Sequence, residues 1–225
     1  MAKNNVNQRE AAVQENLEHT VSSTEKFFTE HGKLVWSVLA GLVIVGLAIL
    51  LYNKFIYQRQ CEEAMEQAYP AEQSFQASEY EIALNGDGNN LGFADLIDNY
   101  GAKAGKALYF YAGVCELNLG NYEGALSYLK KYKGKEPVLA ARAKACEGDA
   151  YVGLEDYRNA VACFEKAVAL ADNVFASAYL VKAGLAYEAL GDKAAALKCY
   201  NSVKNDYPQS IEAYDINSYI ARVSE

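Results

Sequence analysis

One uninterrupted apolar run divides the chain: LVWSVLAGLVIVGLAILLY, residues 34–52, nineteen positions without a charge. As a helix rising about 1.5 Å per residue, a run of this length nearly matches the roughly 30 Å hydrocarbon core of a bilayer, and the pattern predicts a transmembrane helix over 34–53. No water-facing stripe recurs along it, and Gly41 and Gly46 interrupt it, as lipid tolerates better than water. Trp36 at one end and Tyr52, Phe55 and Tyr57 at the other stand where amphipathic rings favour the headgroup level. Before the run, residues 1–33 form a polar tail in which Val13, Leu17, Val21 and Phe28 have the spacing of a short amphipathic helix. After it, the stretch from Asn53 to Leu84 predicts a helical rod leading away from the span, with a kink or interruption near Pro70. NGDGNN, residues 85–90, predicts a turn; it lacks the Gly and Glu positions of a calcium loop in either register.

From about Gly92 the pattern of large, small and polar positions repeats. Gly113, Gly148 and Gly184 are 35 and 36 residues apart, and Ala125, Ala160 and Ala196 keep the same two intervals. Each unit predicts a first helix carrying the Gly, a turn, and a second helix carrying the Ala. The turns read LGNY, LEDY and LGDK, where a residue in left-handed backbone ends the first helix and Asn121, Asp156 or Asp192 caps the second.

At these residues the chain resembles the tetratricopeptide-repeat family, in which small residues let paired helices approach and large ones fill the gaps between pairs. The third unit matches the family motif at Leu180, Ala183, Gly184, Tyr187, Gly191, Ala196, Tyr200 and Pro208, and the second at Gly148, Tyr151, Tyr157, Ala160, Phe164 and Ala167. The first matches at Tyr109, Ala112, Gly113, Gly120, Tyr122, Ala125 and Pro137; Glu116, Tyr132, Glu155 and Lys193 depart from the motif. The resemblance implies an all-α fold: a single transmembrane helix followed by a right-handed helical-repeat solenoid. Residues 54–100 would supply the juxtamembrane helix and a degenerate first repeat, with Phe93–Gly105 as its second helix. Residues 101–225 would supply three repeats and a closing helix from Ser210 to Glu225, with Ile211, Tyr214, Ile216 and Ile220 as its apolar face. It also implies a concave face, formed by the first helices, that holds a peptide or a partner's helix. The inward positions carry over as Phe110, Val114 and Leu117, then Arg142, Ala145 and Asp149, then Val181, Leu185 and Glu188. Phe110 and Val114 stand where family members that grip a terminal carboxylate have Lys and Asn, so that clamp is not expected.

Charge narrows the partners. From residue 54 onward 17 Lys and Arg face 24 Asp and Glu, a net of 17 − 24 = −7, so nucleic acid and anionic lipid headgroups are poor partners for the repeat domain. The run Lys130, Lys131, Lys133, Lys135 reads as the complement of a helix carboxyl end. Both histidines, His19 and His31, precede the span, leaving the repeat domain without an imidazole for a triad or a metal. No phosphate-cradling Gly-rich motif occurs. No enzyme activity, cofactor or metal is expected. The cysteines, Cys61, Cys115, Cys146, Cys163 and Cys199, show no C-x-x-C pair and read as core residues.

Thirty-three residues precede the span and no small-residue cleavage site follows it, so the segment is expected to remain as an anchor. Lys26 and Lys33 on one side balance Lys54 and Arg59 on the other; the folded domain beyond the span argues for a cytoplasmic amino terminus and a periplasmic repeat domain at a bacterial inner membrane. This layout is similar to the bacterial ancillary subunit of the Sec translocon, a membrane-anchored repeat protein linked to periplasmic chaperones. The resemblance implies a non-enzymatic docking protein in protein export or envelope assembly. The alternative is a structural scaffold of an envelope or division complex, acting through its convex surface or its span. Ser37 and Gly41 form a small-xxx-small pair of the kind that brings two spans together as a homodimer.

Overall fold

The computed structural model describes residues 31–170 and 175–224, and among these every regular element is helical. The amphipathic helix expected around Val13–Phe28 lies outside the described residues. The chain falls into two units, residues 1–58 and 59–225.

In the first unit, residues 31–52 form α1, followed by a π-helical turn at Asn53–Tyr57. Its large apolar side chains face outward: Leu42 is 65% and Leu50 64% exposed. In length and composition the helix that includes this stretch is suited to cross a membrane. The Ser37 hydroxyl donates to the Leu34 carbonyl at 2.8 Å and so is satisfied within its own helix.

In the second unit, α2 (Gln58–Gln76) packs Ala64, Ala68 and Ala71 against Ala83 and Leu84 of α3 (Tyr80–Asn85) and Phe93, Leu96 and Ile97 of α4 (Phe93–Tyr100). Three alanines on one face of α2 keep that approach close. The helix runs through Pro70, and the interruption expected there comes instead at Ser78, whose φ of 62° turns the chain. Pro removes one N–H from the ladder but leaves the other turns intact, whereas left-handed backbone at Ser78 cannot continue a helix. The NGDGNN turn is tied by Asp87, whose carboxylate accepts from the backbone N–H of Asn89 (2.8 Å) and Asn90 (2.6 Å). Those bonds hold its carboxyl below the usual carboxylate range.

Three helix pairs follow: α5 (Lys106–Asn118) with α6 (Tyr122–Leu129), α7 (Pro137–Gly153) with α8 (Tyr157–Leu170), and α9 (Ala176–Ala189) with α10 (Lys193–Asp206). One seam recurs in each. A Cβ on Gly113 would stand 2.6 Å from Cγ of Leu129, and one on Gly148 2.5 Å from Cε1 of Phe164; Gly184 meets Tyr200 in the same way. The three large residues keep the spacing of the three glycines, so each pair closes by setting a bare backbone against a large side chain.

The turns are equally regular. Gly120 (φ 80°), Glu155 (φ 59°) and Gly191 (φ 78°) all adopt left-handed backbone. Each donates its N–H three residues back, and the next residue donates five residues back: Asn121 to the Glu116 carbonyl, Asp156 to Tyr151 and Asp192 to Tyr187, all at 2.9 Å. The same three side chains then cap the second helices, accepting from the N–H of Gly124 (3.1 Å), Asn159 (3.3 Å) and Ala195 (3.0 Å).

The last pair is covered by α11 (Ile216–Ser224), which buries Ile216 and Val223 beside Tyr200 and Val203. This helix begins six residues later than expected. Residues 210–215 make successive short turns, with Ala213 N–H on the Ser210 carbonyl and hydroxyl and Tyr214 N–H on the Ile211 carbonyl. Ile211 (84% exposed) and Tyr214 (85%) therefore point to solvent and take no part in the apolar face assigned to them.

Candidate functional site

The nine positions expected to line the concave face lie on α5, α7 and α9, and the structure gives them different surroundings. Phe110 and Ala145 are buried. Phe110 packs with Leu126, Leu129 and Ala143, its ring 6.2 Å from that of Tyr132, so it serves the joint between the first two units. Val114 and Leu117 are half-buried at the edge of the same cluster, and Arg142 is exposed. Val181 is half-buried beside the α11 contact. Leu185 is exposed.

The two acidic positions are both engaged. Asp149 of α7 receives Lys182 of α9 at 2.7 Å, a pair that links the second and third units across this face. Glu188 accepts from the Arg222 guanidinium through both oxygens, at 2.7 and 2.8 Å, and from the Tyr200 hydroxyl. The Arg222 bonds hold the Glu188 carboxyl below the usual carboxylate range against the opposing effect of burial. Burial, then the Glu188 carboxylate, drives the Tyr200 hydroxyl pKa up. Glu188 thus latches α11 to α9.

Where α7 and α9 meet over α8 a cavity of about 140 Å³ opens, walled by Val152, Tyr157, Phe164, Leu185 and Ala186, with Asp149 and Lys182 also lining it. An apolar floor beside an ion pair suits an apolar side chain with a neighbouring polar group, as in most small recognition pockets. Of the nine expected residues, Asp149 and Leu185 meet here. The sequence reading missed Lys182, which nonetheless had a signal: it stands one helical turn before Leu185, the residue 36 positions after Asp149. Among the described residues no three His, Cys, Asp or Glu side chains gather as a metal site would require.

Residues 107–137 and 178–210 match one tetratricopeptide-repeat family model, and residues 147–174 match a second. Three stretches of the chain thus match models of the tetratricopeptide repeat. These matches fall on the three helix pairs, the second beginning within α7, and each includes the Gly and the large residue of its seam. A crystal structure of MamA superposes with a TM-score of 0.52 at 17% identity, over 68% of this chain and 92% of that one. Another MamA crystal structure gives 0.53 at 17% identity, over 73% and 86%. At that identity the likeness concerns the fold. No curated protein matches the sequence.

Proposed function

We propose that the chain is a non-enzymatic docking protein, held at a bacterial inner membrane by α1, with its amino terminus cytoplasmic and its repeats on the periplasmic side. Tetratricopeptide repeats are protein-interaction modules, and the exposed apolar surface of α1 suits lipid. The occupant of the concave face is a polypeptide segment of a client or partner in protein export or envelope assembly, with the Sec translocon and periplasmic chaperones as the candidates. The observation that carries this reading is the α7–α9 cavity: exposed Leu185 shares it with the Asp149–Lys182 pair on the face that repeat arrays use for peptides.

The test is site-specific photocrosslinking in membranes from a probe at Val181, comparing the native chain with Leu185→Glu. Client crosslinks that vanish in the variant while its helical circular dichroism is unchanged support docking. Undiminished crosslinks sink it. A second reading, a scaffold acting through the convex surface or the span, is favoured by the internal engagement of Phe110, Ala145 and Glu188, which narrows the concave face. Undiminished crosslinking in Leu185→Glu is the outcome it predicts.

A further inference from the structure

The chain segment that follows α6 lines, together with α7 and α8, a second, larger and open cavity of about 420 Å³ on residues other than those expected at the concave face. Four lysines from three parts of the chain line it: Lys130 and Lys133 from the segment after α6, Lys144 from α7 and Lys166 from α8. Leu129, Tyr132, Ala140 and Leu170 are among its other walls. In sequence, Lys130 and Lys133 look like the ordinary complement of a helix carboxyl end. The fold adds Lys144 and Lys166, which a dipole argument does not explain.

The electrostatics are uneven. Lys144 contacts both oxygens of Glu147 at 2.7 Å, and Glu147 is a buried residue, so one lysine is taken by the one acid in the lining. Lys130 leans over the Tyr151 ring, 5.1 Å from its centroid, and keeps its charge. Among the described residues, the ion pairs leave Lys133 and Lys166 without a carboxylate. Four cations against one anion leave a local excess of 4 − 1 = +3 inside a domain whose net charge is −7.

We propose that this cavity binds a small, multiply charged anion of the phosphate class, a phosphomonoester or diphosphate group. The cationic lining is all lysine: ammonium groups on flexible stems act as point charges that gather around a tetrahedral anion, whereas no arginine fork is present to select a planar carboxylate. The net negative charge of the domain disfavours a long polyanion such as nucleic acid or an acidic peptide. A small anion escapes that repulsion, because screening confines the field to about 8 Å at physiological salt. The volume falls within the roughly 300–1,000 Å³ of small-molecule sites.

The experiment is calorimetric titration of the full chain in zwitterionic detergent with inorganic pyrophosphate, at ionic strength held constant with sodium chloride. Saturable binding is expected, weakened at least about tenfold in Lys133→Gln/Lys166→Gln, since each substitution removes an unpaired ammonium. Lys131→Gln/Lys135→Gln, the same charge change outside the cavity, should leave it unchanged. Circular dichroism melts of both variants separate lost binding from lost fold. No saturable heat, equal weakening by the two double variants, or tighter binding of a polyglutamate peptide than of pyrophosphate overturns the proposal. Displacement of pyrophosphate by phosphatidic acid vesicles and not by phosphatidylcholine vesicles assigns the phosphate to a lipid headgroup; no displacement assigns it to a soluble molecule.

Discussion

Gly184 presents bare backbone to the ring of Tyr200, and a Cβ placed on it would overlap the ring edge. Tyr200 has nowhere to retreat, being fully buried with its hydroxyl bonded to Glu188. Gly184→Ala should therefore destabilise the repeat domain by about 1–3 kcal/mol, the usual cost of forcing extra carbon into a packed core. Gly113→Ala should cost less, because it meets the branched end of Leu129 instead of a ring. Urea midpoints of the two variants give the order; a larger loss in Gly113→Ala would contradict the seam geometry.

Glu155 holds left-handed backbone where the other two turns have glycine. A residue with a Cβ there costs roughly 1–2 kcal/mol, partly offset by the extra freedom that glycine gives the unfolded chain. Glu155→Gly should raise stability by about 0.5–1 kcal/mol. The glycine substitution, ordinarily harmful beside a helix, thus has the opposite sign here, and thermal melting reads it directly.

The Glu188–Arg222 contact sets an acid dependence. Because the folded carboxyl lies below its ordinary value of 4.5, it contributes stability that is fully present above that value and is lost as pH falls through the folded one. Arg222 is half exposed, so the pair is worth no more than about 1 kcal/mol. Glu188→Gln should flatten the decline of stability below pH 4.5 relative to the native chain. Unchanged slopes would show that α11 is held by its other contacts, with Ile216 and Val223 at their centre.

Three thiols carry the alkaline counterpart. Burial pushes Cys115 up to about 12 and Cys146 and Cys199 up to about 11 from an ordinary 9.0. Their contribution is whole below the ordinary value and is lost as pH rises through the folded ones, since the unfolded chain ionises first. At neutral pH these cysteines should resist alkylation until the chain unfolds, measured by mass spectrometry after a timed pulse of iodoacetamide. Half-buried Cys61 on α2 then reports on topology. Its labelling by an impermeant maleimide in intact spheroplasts is expected from the proposed orientation, and labelling only after lysis would reverse that orientation.

The repeat seams and turns were legible in the sequence because each depends on one residue type at one spacing. Gly113, Gly148 and Gly184 mark close approach, and Asn121, Asp156 and Asp192 mark caps; both rules act within a few residues. Ile211 and Tyr214 were misread for the complementary reason. Their spacing fits an apolar helical face, but whether residues 210–215 join the helix is decided by competing short turns. Carrying Phe110 and Ala145 over as groove positions likewise did not reveal how closely the neighbouring pair covers them. The lysine cavity was out of reach, because Lys130 and Lys166 become neighbours only once α6, α7 and α8 have packed.

The recurrence of a single joint makes the architecture modular in the plain engineering sense. A duplicated α9–α10 hairpin spliced ahead of α11 would offer the incoming helix the same bed of Tyr200, Val203 and Glu188 on which it now rests. Length is thus free to change by whole hairpins, and a lengthened chain that still melts in one transition would be the sign of it.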